Sequence, residues 1–377
     1  MGPLVVTPAF VPDESTSLCA ESEASPTRRA LTHSLILLPP VFVGWLIWIG
    51  IEQHAVAIDF TAAYLPAARD LVHGLSPYLH PGYVYPPPAA WLAAPFLLLP
   101  KLAAGLVAMA AAAAAIAGTV WLMGVRDWRC FAISFLWLPC YSVIQTGNAV
   151  VILALLCAAA WRWRERPLIC GAAVGLAIAL KLIAAPLLLL FLLTGRRRAT
   201  AVGVLSAVGF TALSWAPIGF AGMFSYPHLL GQLDTNERIA GYALRTLIGK
   251  VFGWPTADVV TAAVAAVLLA AAIHFRRDEK RVFIVAVALM LALSPIVHMY
   301  YFVFLLLVVT LASRRIGAMW VAPVVLWIGP AAAVGGPEQW QRLIVLVAVA
   351  LIFAAALAPH LWRSRVAPTL AWRPGAA

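Results

Sequence analysis

Apolar runs long enough to cross a membrane recur from one end of this chain to the other, punctuated by short clusters of arginine and lysine. That alternation decides the fold class. A helix needs about twenty mainly apolar residues to cross the hydrocarbon layer, and within lipid each backbone polar group must be satisfied inside its own segment or a closed barrel. Barrels alternate apolar and polar residues and lack long Ala/Leu/Val runs. With 63% hydrophobic and 11% charged residues and a mean hydropathy of +0.93, the chain reads as an all-α polytopic membrane protein with one bundle as its core.

The formal charge of +11 is distributed in a way that argues against nucleic acid as a partner. The cations sit in Arg28-Arg29, Arg162-Arg164-Arg166, Arg196-Arg197-Arg198, Arg276-Arg277 with Lys280-Arg281, Arg314-Arg315, and Arg363-Arg365. Short basic clusters between apolar runs mark cytoplasmic loops, and the lipid bilayer, through its anionic headgroups, is their expected partner. The five cysteines show no metal-ligand spacing, and Cys130, Cys140, Cys157 and Cys170 fall in or beside apolar runs as small hydrophobes. The polar first thirty residues lack an apolar core of the signal-peptide kind and read as a disordered tail.

Placing the basic clusters on the cytoplasmic side threads the chain. Residues 31–51 run outward, 52–101 stay outside, and 102–124 return to Arg126-Asp127-Trp128-Arg129. Residues 130–144 and 148–161 go out and back, leaving Gln145-Thr146-Gly147-Asn148 outside. The stretch 168–194 has basic clusters at both ends, so it must double back with Lys181 near its tip. Residues 199–218 exit to a second outer loop over 219–256, and later helices near 257–275, 282–297, 300–312, 317–333 and 342–361 bring the total to about twelve crossings, with both termini inside. The segment 86–100, bounded by prolines, is short for a span and reads as re-entrant or interfacial. The expected organisation is a tail over 1–30, a membrane domain over 31–361 and a cytoplasmic tail over 362–377.

Once threaded, the unusual polar residues share the outer side: Asp59, Tyr64, Tyr83, Tyr85, Gln145, Asn148, Lys181, Asn236, Arg245 and His298. Polar groups at membrane depth cost a few kcal/mol unless paired, so the one-sidedness points to a cavity. Each has an ordinary alternative. Asp59 opens the pattern Phe60, Ala63, Tyr64, Ala67, Leu71, spaced as one face of an interfacial helix, and as its N-cap would accept backbone N–H bonds. Pro66 kinks that helix unless a new turn starts there. Lys181, flanked by apolar residues, is either a snorkelling side chain or the partner of an anion such as phosphate. His298 follows the Ser294-Pro295 break and is either a hydrogen-bonded spacer or a ligand. Gly147 and Asn148 suit a plain turn, whereas Arg245 has the fork that grips phosphate.

The ordered set Asp59, Gly74-Leu75-Ser76-Pro77-Tyr78, Tyr85-Pro86-Pro87, Gln145-Thr146-Gly147-Asn148, Lys181 with Pro186, and Ser294-Pro295 with His298 and Tyr300 resembles glycosyltransferase family 87 over roughly residues 35–360. These are membrane-embedded, GT-C-type mannosyltransferases that use polyprenol-phosphate-mannose. The resemblance implies a GT-C bundle in a bacterial-type inner (plasma) membrane, with the active site on the periplasmic or extracellular side. It implies a polyprenyl-phosphate-sugar donor, a glycolipid or glycan acceptor, and transfer of a hexose, mannose in the family. By position Asp59 becomes the catalytic base, with Lys181, Arg245 and His298 at the donor phosphate. Tyr64, Tyr85, Gln145, Asn148, Asn236 and Tyr300 become the expected sugar and acceptor contacts. No metal site or cofactor is indicated, the lipid-linked sugar being substrate, although some GT-C relatives use a divalent metal. An Asn-x-Ser element frequent in the family's second large loop is here Asn236-Glu237-Arg238, which leaves that loop's acceptor contacts open. A single base without a second nucleophilic carboxylate favours inversion at the anomeric carbon. A transporter or flippase of lipid-linked sugars, and a non-catalytic scaffold for envelope assembly, are the competing classes.

Overall fold

The structure, a computed structural model, describes residues 26–79, 82–237, 241–329 and 336–358; they are helical, with no strand among them. The first helix, Pro26–Glu52, begins inside the segment 1–30 expected as a tail, while the rest of that tail and residues 359–377 lie outside the described residues. Four helices are long and apolar enough to cross a membrane: Lys101–Leu122, Arg197–Ile218, Trp254–His274 and Gln339–Leu357. Leu138–Thr146 and Val150–Arg162 form a fifth unit, bent by 119° at the break between them. Sequence reading expects about twelve crossings because it counts apolar runs. In the fold, breaks divide those runs into shorter apolar helices, among them Leu37–Glu52, Pro87–Leu98, Pro167–Leu180, Leu182–Leu193, Met299–Ala312 and Ala318–Ile328. Proline accounts for several breaks, because it lacks an N–H and clashes with the carbonyl four residues back. Pro95 and Pro323 stand where α-helix tightens to a 3-10 turn, and Pro186 precedes the helix Leu187–Leu193.

The centre of the bundle is built from Glu279–Leu293 and Met299–Ala312, buried along Val282–Val287 and Tyr301–Val309. Helices apolar on every side belong inside other helices. Arg197–Trp215 and Trp254–His274 instead leave most of their apolar side chains outside the bundle, the surface that lipid covers in a membrane protein. Cys130, Cys140, Cys157 and Cys170 are buried thiols.

The basic clusters meet each other in space. Arg164 Nε lies 2.9 Å from Glu279 Oε2, and Arg196 Nη2 lies 2.6 Å from both Glu279 Oε1 and Glu165 Oε1. The Arg196 guanidinium holds the Glu165 carboxyl below its usual range and also donates to the Arg164 carbonyl. Both ends of the segment 167–193 therefore close on one ion-pair network, and the chain between them doubles back. Its turning point is Lys181, in extended conformation between Pro167–Leu180 and the turn Leu182–Ala184. Fourteen helical residues at 1.5 Å rise carry the lysine about 20 Å from the ion pairs.

Candidate active site

Asp59 enters the structure through an unusual piece of backbone. Ala57, fully buried, has φ +47, in the left-handed region that costs a residue with a side chain about 1 kcal/mol or more. Ile58 and Asp59 are already helical, and the next turn, Phe60–Tyr64, is widened to π geometry. Such turns gather at functional sites. Asp59 makes no capping hydrogen bond to this turn, so the capping role expected of it is not what aims its carboxylate. A new helix, Leu65–Val72, begins with Pro66 in its first turn, where the missing N–H costs nothing. Phe60, Tyr64, Ala67 and Leu71 form the expected stripe, and that stripe is buried against the bundle.

What aims the carboxylate is Asn148, which donates from Nδ2 to Asp59 Oδ2 at 2.7 Å. The amide has one possible orientation: its Oδ1 accepts the Val150 N–H at 3.0 Å, so Nδ2 is the end that faces the acid. Gly147 makes the approach feasible. It closes the helix Leu138–Thr146 at φ +64, and a Cβ there would sit 2.9 Å from the Cβ atoms of Ala57 and Phe60. The turn expected on composition grounds is thus also the contact that brings two distant segments together.

From Asn148 the chain of contacts continues to a cation. Asn148 Nδ2 is 2.9 Å from the Tyr85 hydroxyl, and Lys181 Nζ lies 4.2 Å from the centre of the Tyr85 ring and 4.6 Å from that of Tyr301. The ammonium also donates to the Tyr301 hydroxyl. Asp59 and Lys181 are therefore linked through two side chains, Asn148 and Tyr85. Tyr64 packs on Tyr85 with ring centres 5.0 Å apart, and Tyr300 stacks on Tyr301 at 5.2 Å. His298 joins from the loop after Ser294, its ring 5.3 Å from Tyr300.

Tyr85 is held by its own backbone. The Tyr226 hydroxyl donates to Val84 O at 3.1 Å, Tyr78 to Tyr85 O at 3.1 Å, and Tyr83 to Pro86 O at 2.7 Å. Tyr226 comes from the second large loop, so this clamp ties both loops together. Beside it, Tyr78, Gly222, Ser225, Tyr226, His228 and Gln232 line a cavity of about 200 Å³.

Two expected site residues, Gln145 and Arg245, stand outside this set of contacts. Gln145 is half-buried and stands outside the chain of contacts from Asp59 to Tyr301. Arg245 pairs with Asp258 across 2.5 Å and sits over the Trp254 ring, which ties the helix Leu244–Phe252 to Trp254–His274. Asn236 lies in the helix Tyr226–Glu237, and its side chain is outside the described residues. Tyr301 and Tyr226 carry no role in the sequence reading, and Tyr78 and Gly147 enter it only as parts of the family-like motifs and of a plain turn. A second aromatic beside Tyr300 was the one local signal for Tyr301. No group of three or more His, Cys, Asp or Glu able to hold a metal occurs among the described residues.

A model of glycosyltransferase family 87 matches residues 83–295. The match takes in Tyr85, Asn148, Lys181 and Tyr226, and it stops short of Asp59 on one side and of His298 and Tyr301 on the other. No curated protein and no solved structure matches the chain.

Proposed function

The chain belongs to glycosyltransferase family 87, and from that premise we propose that it moves a hexose, mannose by family resemblance, from a polyprenyl-phosphate donor to a lipid or glycan acceptor. The observation that carries this reading is the continuous contact path Asp59–Asn148–Tyr85–Lys181. It sets a carboxylate and a cation at two ends of one polar strip, which is the arrangement the reaction needs.

Asp59 takes the proton from the acceptor hydroxyl, a general-base role worth about 10²–10⁴ in rate. The freed oxygen attacks the anomeric carbon as the bond from that carbon to the phosphate oxygen breaks, with inversion at the carbon. Polyprenyl phosphate departs with its electron pair, and the Lys181 ammonium, backed by Tyr301, stabilises the charge growing on it. His298 and Tyr300 border the same position. The cavity between Tyr78 and Tyr226 is the proposed seat of the acceptor sugar: rings offer faces to its C–H groups, and Ser225, His228 and Gln232 offer hydrogen bonds. The site lies on the outer side of an inner-membrane bundle, with the arginine clusters and both termini on the cytoplasmic side. In support, Lys181 sits at the end of its hairpin away from the ion pairs.

The test is transfer by the purified protein from radiolabelled polyprenyl-phosphate-mannose to membrane glycolipid, with Asp59→Asn beside the native chain. Loss of about 10²–10⁴ in kcat is expected. Full transfer by the variant sinks the base assignment, and lipid flipping without transfer by the native chain favours the transporter reading.

A further inference from the structure

A second polar concavity lies at the opposite end of the bundle from Asp59. The helix Lys101–Leu122 starts on the Asp59 side, where Gly105 packs closely on Val56 and Thr61. It ends roughly 25 Å further on, at the turn through Gly124. There Gly124, Arg126, Asp127, Arg129, Arg314 and Arg315 line an open cavity of about 420 Å³.

The charge around this bowl is unbalanced. Asp127 is its one carboxylate, and it is committed: Oδ1 accepts from Arg129 Nε at 2.9 Å, and Oδ2 accepts from Arg129 Nη2 at 3.0 Å and from the Ile316 N–H at 3.2 Å. Those bonds splice the 126–129 and 314–316 segments into one rim. Arg126 is also built in, its Nη1 donating to the carbonyls of Trp121 at 2.7 Å and Val125 at 2.8 Å while the guanidinium covers the Trp121 ring. Its remaining N–H groups are not consumed by these contacts. Arg314 crosses the face of Gly124, which turns at φ +87, and neither Arg314 nor Arg315 has an ion pair among the described residues. Four guanidinium groups thus stand against one carboxylate, already bonded to Arg129 and Ile316, around a space large enough for a small polyatomic anion. Guanidinium forks match the oxygens of phosphate in pairs, and a concave wall of a single sign concentrates the opposite charge.

We propose that this bowl binds a phosphate group, presented by an anionic phospholipid headgroup or by a small soluble phosphate. It is separate from the glycosyl-transfer site and does not depend on that assignment. Arg126 and Arg129 form its fixed floor, and Arg314 and Arg315 close on the ligand.

The full chain, returned to nanodiscs of phosphatidylcholine with and without phosphatidylglycerol, is released into native mass spectrometry to count retained lipid. A parallel calorimetric titration uses inorganic pyrophosphate. Retention of phosphatidylglycerol over phosphatidylcholine, reduced at least about tenfold in Arg314→Ala/Arg315→Ala, identifies a headgroup site. Pyrophosphate binding with the same loss identifies a soluble phosphate. Arg314→Lys/Arg315→Lys keeps both charges, protects against a folding artefact, and is expected to bind more weakly than the native chain because the planar fork is gone. The proposal is overturned if the native chain prefers neither probe, or if the lysine and alanine variants bind as it does.

Discussion

Asn148 reaches across 89 positions of sequence to hold the Asp59 carboxylate at 2.7 Å, and Val150 fixes which end of the amide does so. A hydrogen bond to a charged group contributes about 1.5–3 kcal/mol. Its greater value here is directional, because a carboxylate displaced by about 1 Å can cost 10²-fold in rate. Asn148→Leu is therefore expected to lower kcat by about 10²-fold with little change in donor KM. An unchanged kcat in a folded variant argues that Asp59 is aimed by something else.

Gly147 carries a second consequence of the same contact. Both Gly147 and Gly195 have positive φ, but only Gly147 has neighbours where a Cβ would go. Gly195→Ala should cost about 1 kcal/mol of backbone strain. Gly147→Ala should cost about 1–3 kcal/mol more through overpacking and should also reduce transfer. Thermal unfolding of the two variants in one detergent measures the difference, and equal midpoints would contradict the close approach.

Lys181 and Tyr301 are predicted to act in the step rather than in ground-state binding. Lys181→Met is expected to lower kcat by about 10²–10³-fold, the scale seen when one preorganised donor to a developing anion is removed. Tyr301→Phe should have a smaller effect in the same direction. Steady-state kinetics that show only a raised donor KM would make the lysine a docking group instead.

Glu279 joins Arg164 and Arg196, and through them the two ends of the Lys181 hairpin. The three side chains are partly exposed, so each pair is worth about 0–1 kcal/mol. Glu279→Gln should lower the unfolding midpoint slightly in dilute buffer, with the gap narrowing in about 1 M salt, where the screening length falls to about 3 Å. A gap that persists in salt points to packing rather than charge.

Asp127 gives a pH signature to the far end of the bundle. Burial pushes its carboxyl up, but the Arg129 guanidinium and the N–H groups of Ile316 and Arg129 more than offset that and hold it below the usual range. A depressed folded value means the stabilisation is fully present above the unfolded value of about 4 and disappears as pH falls through the lower, folded one. Asp127→Asn should therefore unfold at a lower midpoint than the native chain at neutral pH, with the two converging in acid. A constant gap from pH 7 to pH 2 contradicts the assignment.

How much of this was readable beforehand depended on the range of the interaction. The doubling-back at Lys181 was legible because basic clusters flank both ends of one apolar run, and the Arg196 guanidinium does return to the Arg164 carbonyl. The common side of Asp59, Tyr85, Asn148, Lys181 and His298 followed from the same parity, and contacts link these residues. Their pairings were not legible, since periodicity carries no information about which residue 89 positions away will meet Asp59. The left-handed Ala57 and the widened turn after it have no composition signal either, and they are why Asp59 does not cap its helix. The pairing of Arg245 was hidden for a related reason: its partner Asp258 sits in another helix, and an ion pair uses the same residue types as a phosphate site.

The polar strip has a biographical consequence. Asp59 is made well before Tyr301, and the residues between them supply Tyr85, Asn148 and Lys181 in turn. At about 5–20 residues per second, tens of seconds separate the birth of the acid from that of the lysine's anchor. Until then the nascent chain carries the acid, the amide, the tyrosine and the lysine without the hydroxyl that accepts from that lysine, so the contact path is completed only once Tyr301 has been added. A ribosome that stalls between them leaves a chain in which Lys181 lacks its Tyr301 partner.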